Sequence, residues 1–325
     1  MKKVQILIDS SHKKWVLGGL FTEVSHYDPE FFLKPQIISN VKSFRFTITF
    51  FRVLKLVCQR RLLLFSSITP LENFLKISKF NTNKKILWFT HMYGEMSEKT
   101  IFILDKADLI FVHSSQDREF LISKGISCPI IPLIGAINPK LFLNPNYDGK
   151  KVAFIGSATK RKNVDVFLQF VSENPKLQFK VIGRNWKRHD IWETLTKYKN
   201  LEYFEINRQI NAEDLKDCSH HLILSSKEGG PISLIESVAS GLIPVMTKTG
   251  IALDFLYECD YLNQILDFPI NFSEVRRKLE KVYSIDHRSL AAKKALEYSI
   301  SRFSFKLKVE IMNNLHGKNN GLNQS

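Results

Sequence analysis

Residues 227–246 read KEGGPISLIESVASGLIPVM. A glycine pair and a proline open a short apolar helix. The helix ends on the small residues Ser240 and Gly241, and a β-branched run follows. Pro231 suits the first helical position, where its missing N–H costs nothing. Gly229 and Gly230 leave the backbone uncovered, so the amides of Ile232 and Ser233 can meet an anion at the positive end of the helix. Phosphate or diphosphate is the natural ligand there. Glu228 precedes the loop, and Glu236 lies about 7.5 Å along the helix axis. Carboxylates do not bind phosphate; beside an anion site they suit hydroxyl groups, such as those of a ribose and a sugar.

Working outward, apolar runs alternate with helix-like stretches. Strands are expected at 4–9, 36–38, 62–67, 85–90, 109–114 and 130–135, with a capped helix in SQDREFLISKG, which ends at Gly125. After NPKLFLNPNYDGKK (138–151) the rhythm restarts, at 152–156, 179–183, 201–204, 221–226 and 242–246. Continuous apolar strands separated by helices indicate parallel sheets covered on both faces. The expected organisation is α/β: two doubly wound domains, 1–145 and 146–315, facing across a cleft, with a disordered tail at 316–325. Ligands in such sheets sit beyond the carboxyl ends of the strands, so the residues after each strand are the ones to search.

The chain has 325 residues and a net charge of +15, which calls for anionic partners. Its charge is dispersed, and no nucleic-acid recognition motif appears. Residues 41–61 mix Arg45, Arg52, Lys55, Arg60 and Arg61 with Phe44, Phe50, Phe51, Leu54 and Leu56. That mixture fits a helix lying on an anionic membrane surface, and equally a basic helix packed on its own domain. The opening MKKVQILIDSSHKK reads as a first strand, and no run reaches the roughly 20 apolar residues of a membrane span. Four scattered cysteines read as reduced thiols of a cytoplasmic protein; on the membrane reading of 41–61 the protein is peripheral to the inner face of the plasma membrane.

EGGPISLIESVASGLIPVM resembles the E-x7-E signature of family 4 retaining glycosyltransferases, whose fold is GT-B, two Rossmann-like domains. The resemblance implies that Glu228 holds the donor sugar and Glu236 the nucleotide ribose. VAFIGSATKRKNVDVFLQF resembles the family's strand, glycine and basic loop, with Gly156 at the turn and Lys162, assisted by Arg161, against the diphosphate. Ser157 stands where the family often carries an arginine, which shifts load onto Lys160, Arg161 or Lys162. FKVIGRN supplies a second glycine turn, Gly183 and Arg184, beside the nucleotide. In the first half, ILWFTHMYGEMS places His91 where related enzymes carry a histidine near the donor sugar. His113 is read as structural, and Gly18 and Gly19 as a loop approaching phosphate or acceptor.

The implied activity is hexosyl transfer, with retained configuration, from a UDP- or GDP-sugar to a hydroxyl of a glycan or lipid-linked acceptor. Bacterial surface polysaccharide or lipopolysaccharide synthesis is the implied setting. No Asp-x-Asp motif is present, so no cofactor and no metal ion is expected. Two rivals stand beside it. One is an inverting transferase or an epimerase, with Glu95, His91 or Asp9 as base. The other is a nucleotide-sugar-binding protein without turnover, which Ser157 keeps open.

Overall fold

The computed structural model describes residues 3–8, 16–38, 53–59, 61–78, 82–90, 96–184, 186–188, 190–206 and 208–316. They form two compact units, one of residues 1–135 with 300–325, the other of residues 136–299.

The first unit holds a six-stranded parallel sheet. Its strands are β1 (Val4–Ile8), β2 (Phe32–Ile37), β3 (Leu62–Phe65), β4 (Lys85–Phe89), β5 (Leu109–Val112) and β6 (Ile130–Pro132), in the order β2-β1-β3-β4-β5-β6. All residues of β1, β3 and β5 are buried, as expected of a sheet covered on both faces. Gln5 is tolerated inside β1 because its amide donates to Lys34 O at 2.9 Å and its carbonyl accepts from Gln36. β2 starts four residues before the expected 36–38. Pro35 interrupts the apolar run, but β2 is the edge strand, where a missing donor is harmless. The register with β1 slips there, between the Gln5 and Leu7 pairs.

Gly18 and Gly19 do not form a loop. They lie inside the helix Val16–Tyr27. Of the basic stretch 41–61, residues 41–52 and 60 lie outside the described residues. Residues 53–58 are helical, with Val53 and Leu56 in the first unit's core and Lys55 exposed. The helix after β5, Ser115–Ser123, is capped by Ser114, one residue before the quoted stretch, and ends two residues before Gly125, which turns the chain with φ +78°.

The second unit repeats the plan with β7 (Lys151–Ile155), β8 (Phe179–Gly183), β9 (Leu201–Glu205), β10 (Cys218–Ile223), β11 (Ile243–Thr247) and β12 (Ile265–Leu266). All are parallel, in the order β12-β11-β10-β7-β8-β9. The chain winds one way from β7 through β8 to β9 and the other way through β10. β7 and β10 therefore flank the switch point, where loops diverge and a ligand can enter.

The boundary expected at 145/146 falls at 135/136 instead, because the polar stretch 138–151 is tied into the second unit. Asn146 donates to Lys216 O at 2.6 Å, and the buried Arg288 donates to Tyr147 O at 2.8 Å with its guanidinium over the Tyr147 ring. The last helix, Ile300–His316, belongs to the first unit rather than the second. Phe303, Leu307 and Ile311, spaced four apart, are its buried stripe. Phe303 meets Trp88 edge-on, and Lys308 pairs with Asp28 at 2.8 Å. The tail 317–325 lies outside the described residues.

Among the described residues no helix is long and apolar enough to cross a membrane, and no cluster of His, Cys, Asp or Glu has metal-binding form. All four cysteines are free thiols.

Candidate active site

The loops after β7 and β10 are stitched together at the switch point. Ser226 N donates to Arg161 O at 2.8 Å, and the Asn163 amide donates to Leu224 O at 2.7 Å. Asn163 adopts the left-handed conformation, φ 51°, ψ 48°, between the short turn Lys160–Lys162 and the helix Val164–Glu173. Its side chain bonds across to the β10 loop and does not cap its own helix.

Glu228 stands where these loops meet. Lys162 Nζ donates to its Oε1 at 3.0 Å, and so does Ser225 Oγ at 2.8 Å. Arg161 Nη1 lies 2.6 Å from Oε2 and also reaches Lys227 O at 3.3 Å. The Glu228 side chain is 7% exposed and that of Lys162 11%, whereas Arg161 keeps 32%. Burial pushes the Glu228 carboxyl up. Lys162 and Arg161, with the hydrogen bonds from Ser225 and Lys162, outweigh burial and hold it below the ordinary glutamate range. It is a carboxylate at neutral pH.

The glycines serve this packing. Gly156 has φ +133°, and a Cβ there would lie 2.6 Å from Lys162 Cε. A Cβ at Gly183 would sit 2.0 Å from Gly156 O, which also accepts the Trp186 indole N–H at 2.7 Å. Gly156 makes room for Lys162, and Gly183 lets its loop approach that of Gly156. Gly250, after β11, has φ +57° and backs onto Gly229 O in the same way, 2.1 Å from a built Cβ.

The helix Ile232–Ala239 begins one residue later than expected, with Pro231 as its N-cap rather than its first residue. Proline has no side-chain acceptor, so no side chain caps the helix, and the amides of Ile232 and Ser233 open it, half-buried, beside the half-buried Gly230 and the buried Gly229. Glu236 is buried one turn further on. Its Oε1 accepts from the Gln209 amide at 3.2 Å. Burial pushes this carboxyl up to about 7, with the Gln209 hydrogen bond pulling weakly the other way. His221, on β10, bonds Ser237 Oγ at 2.9 Å, and burial and Lys162 push its imidazole down to about 3, so it is neutral.

Glu228, Lys162 and Arg161 thus come together, next to the start of the helix that carries Glu236. Lys160 is exposed and Ser157 half-buried, while Arg184 donates to Ile206 O at 3.2 Å and serves its own loop. His91, with Glu95 and Asp9, lies outside the described residues. His113 is buried against the Trp88 ring, whose N–H points at its Nε2, 3.4 Å away. Sequence reasoning missed two partners. Ser225 lies three residues before Glu228 in the same loop and was open to recognition as its hydroxyl donor. Gln209 is 27 residues from Glu236, and no local pattern ties the two.

A search of curated proteins finds no match. Among solved structures, the chain is similar to sucrose-phosphate synthase from Thermosynechococcus elongatus. Identity is 11%, the match covers 98% of this chain and 100% of that one, and the TM-score is 0.73. HepE from Anabaena, solved with UDP-glucose, is 9% identical over 96% of this chain and 100% of its own, with a TM-score of 0.76. The lipopolysaccharide outer core galactosyltransferase WaaB is 13% identical over 97% and 99%, at 0.70. Residues 141–295 match the family model of glycosyl transferases group 1. With its two parallel six-stranded sheets the chain has the GT-B fold of two Rossmann-like domains, and its second unit carries the group 1 glycosyltransferase match.

Proposed function

We propose that this chain is a retaining glycosyltransferase of family 4 type, moving a hexose from a UDP- or GDP-sugar to a hydroxyl acceptor. The observation that carries the reading is the convergence of Glu228, Lys162 and Arg161 beside the uncapped start of the helix that buries Glu236. The Ile232 and Ser233 amides, Lys162 and Arg161 receive the diphosphate. Glu228 takes the hydroxyls of the sugar and Glu236 those of the ribose. The acceptor oxygen bonds to the anomeric carbon as the bond from that carbon to the diphosphate oxygen breaks, and the acceptor proton passes to the leaving phosphate. Fixed cations and helix amides meet the charge that develops there, so no metal ion is required of the mechanism.

UDP is the favoured carrier, since HepE was solved with UDP and glucose, and the pneumococcal O-GlcNAc transferase GtfA, also similar in fold, with UDP and GlcNAc. The acceptor is a glycan or lipid-linked glycan of bacterial surface polysaccharide or lipopolysaccharide synthesis, met at the inner face of the plasma membrane. Supporting an anionic partner, a pocket of about 690 Å³ in the first unit is lined by His26, Lys34, Lys55 and Arg61, and among the described residues no carboxylate lines it. The test is incubation with a panel of UDP- and GDP-sugars, following slow donor hydrolysis by mass spectrometry alongside thermal melts. One donor class is expected to be consumed and to raise the melting temperature. If none does either, the reading fails.

A further inference from the structure

Both oxygens of the Glu228 carboxylate are engaged by the chain itself: Oε1 by Lys162 and Ser225, Oε2 by Arg161. On the proposed transferase function, on which this inference rests, Lys162 and Arg161 are the cations of the donor diphosphate. The position an anion would take beside them is therefore already held by an anion of the protein.

This contact has little freedom to dissolve by loop motion. The β7 and β10 loops are bonded to each other through Ser226, Arg161, Asn163 and Leu224. Lys162 is packed over Gly156, where even a methyl group would collide with it, so its side chain is confined on that side. Arg161, a third exposed, can follow an incoming phosphate, and the carboxylate must then release it. A buried carboxylate that loses its cations to a diphosphate needs other donors, and it sits close to a like charge in a place with little water. A complete nucleotide-sugar brings such donors in the hydroxyls of its sugar. A bare nucleoside diphosphate has no sugar beyond its phosphates, and on the proposed reading its ribose hydroxyls go to Glu236, so it brings no donor to Glu228.

We infer that Glu228 is an internal competitor for the diphosphate cations, and that it makes the site discriminate the intact nucleotide-sugar from the nucleoside diphosphate left after transfer. The same residue that holds the sugar of the substrate expels the product once the sugar has gone. Lys162 and Arg161 can then be strong phosphate ligands without trapping the spent nucleotide.

The inference predicts an unusual sign: removing a site residue tightens binding of one ligand. Calorimetric titration of the full chain with UDP and with GDP, at about pH 7.5 and low salt, compares wild type with Glu228→Gln, which keeps the shape and loses the charge. The preferred nucleotide is expected to bind the variant roughly tenfold more tightly, the size of one partly screened charge–charge contact, and added salt is expected to narrow the gap. Should that variant fail to fold, Glu228→Ala removes the same charge and carries the same expectation. If wild type binds a nucleotide and the folded variant binds it equally or less tightly, the inference is overturned while the transferase reading stands. If neither wild type nor variant binds either nucleotide, the transferase reading falls and takes the inference with it.

Discussion

Replacing Glu236 with Gln separates what this carboxyl costs the fold from what it does for a ligand. Glu236 is buried and accepts from the Gln209 amide, and its carboxyl is pushed up to about 7 from an ordinary value of 4.5. Between those two values the unfolded chain has released this proton and the folded chain has kept it. Stability therefore falls as pH rises through that window and is level above it. At about 1.4 kcal/mol per pH unit, the loss is about 3 kcal/mol. The Glu236→Gln variant has no proton to lose at this position and escapes the penalty. The assay is a set of thermal melts of wild type and Glu236→Gln from about pH 4.5 to pH 8, without nucleotide. For a domain of this size a kcal/mol moves the midpoint by about 2–4 °C, so the variant should gain about 6–12 °C on wild type across the series. A difference between the two proteins that stays constant over that whole range would refute the reasoning, because the carboxyl would then titrate alike folded and unfolded. The same substitution is expected to weaken nucleotide binding, so that stability and function move in opposite directions.

Three further outcomes are expected. Lys162→Met should lower kcat for donor consumption by about 10² or more, and Arg161→Met, at a position a third exposed, by about tenfold; steady-state kinetics with wild-type-like rates in Lys162→Met would remove its role. Gly183→Ala should destabilise the second unit by about 3 kcal/mol, since its Cβ would sit 2.0 Å from Gly156 O, whereas Gly19→Ala, with open space around it inside a helix, should stabilise the first unit by about 0.5–1 kcal/mol and leave turnover unchanged. Denaturant melts check both, and a loss of turnover in Gly19→Ala would revive a phosphate-approaching loop there. Sedimentation with anionic liposomes should weaken when Lys55 and Arg61 of the basic pocket become Glu; binding that does not change would place the membrane contact elsewhere or nowhere.

Where the sequence could be read and where it could not depends on the range of the forces involved. Continuous apolar runs such as LLLF and LIFV announce buried parallel strands by themselves, because being covered on both faces demands it. The strand–loop–helix–strand unit around Glu228 was legible for the same reason. Edge features were not. Pro35 hid the start of β2, and β12 is two residues long, too short for any pattern. The boundary was misplaced because residues 138–151 look like a linker locally, yet Arg288, far along the chain, holds them in the second unit. The pairing of Lys162 with Glu228 spans 66 residues, and the sequence, while nominating both, did not show that they would bind each other.

That pairing explains how two glutamates eight residues apart on one loop and helix come to opposite protonation. Burial raises both carboxyls, and it is the largest single influence on each. Glu228 stays at the loop, where the β7 turn delivers two cations and Ser225 a hydroxyl, and these reverse the effect. Glu236 is inside the helix, and its one named partner is a neutral amide, so burial prevails. An ionised Glu228 can only accept hydrogen bonds, which suits sugar hydroxyls that all point donors at it. A Glu236 that is half protonated near neutrality can accept from one ribose hydroxyl and donate to another, or give up its proton as the hydroxyls arrive. In the second case nucleotide binding releases up to one proton below neutral pH and progressively less above it, where the carboxyl is already ionised; we expect that release. Calorimetry in buffers of different ionisation enthalpy reads the number directly: a proton count near zero at every pH from about 5.5 to 8.5 would mean that Glu236 does not change its ionisation when the nucleotide binds.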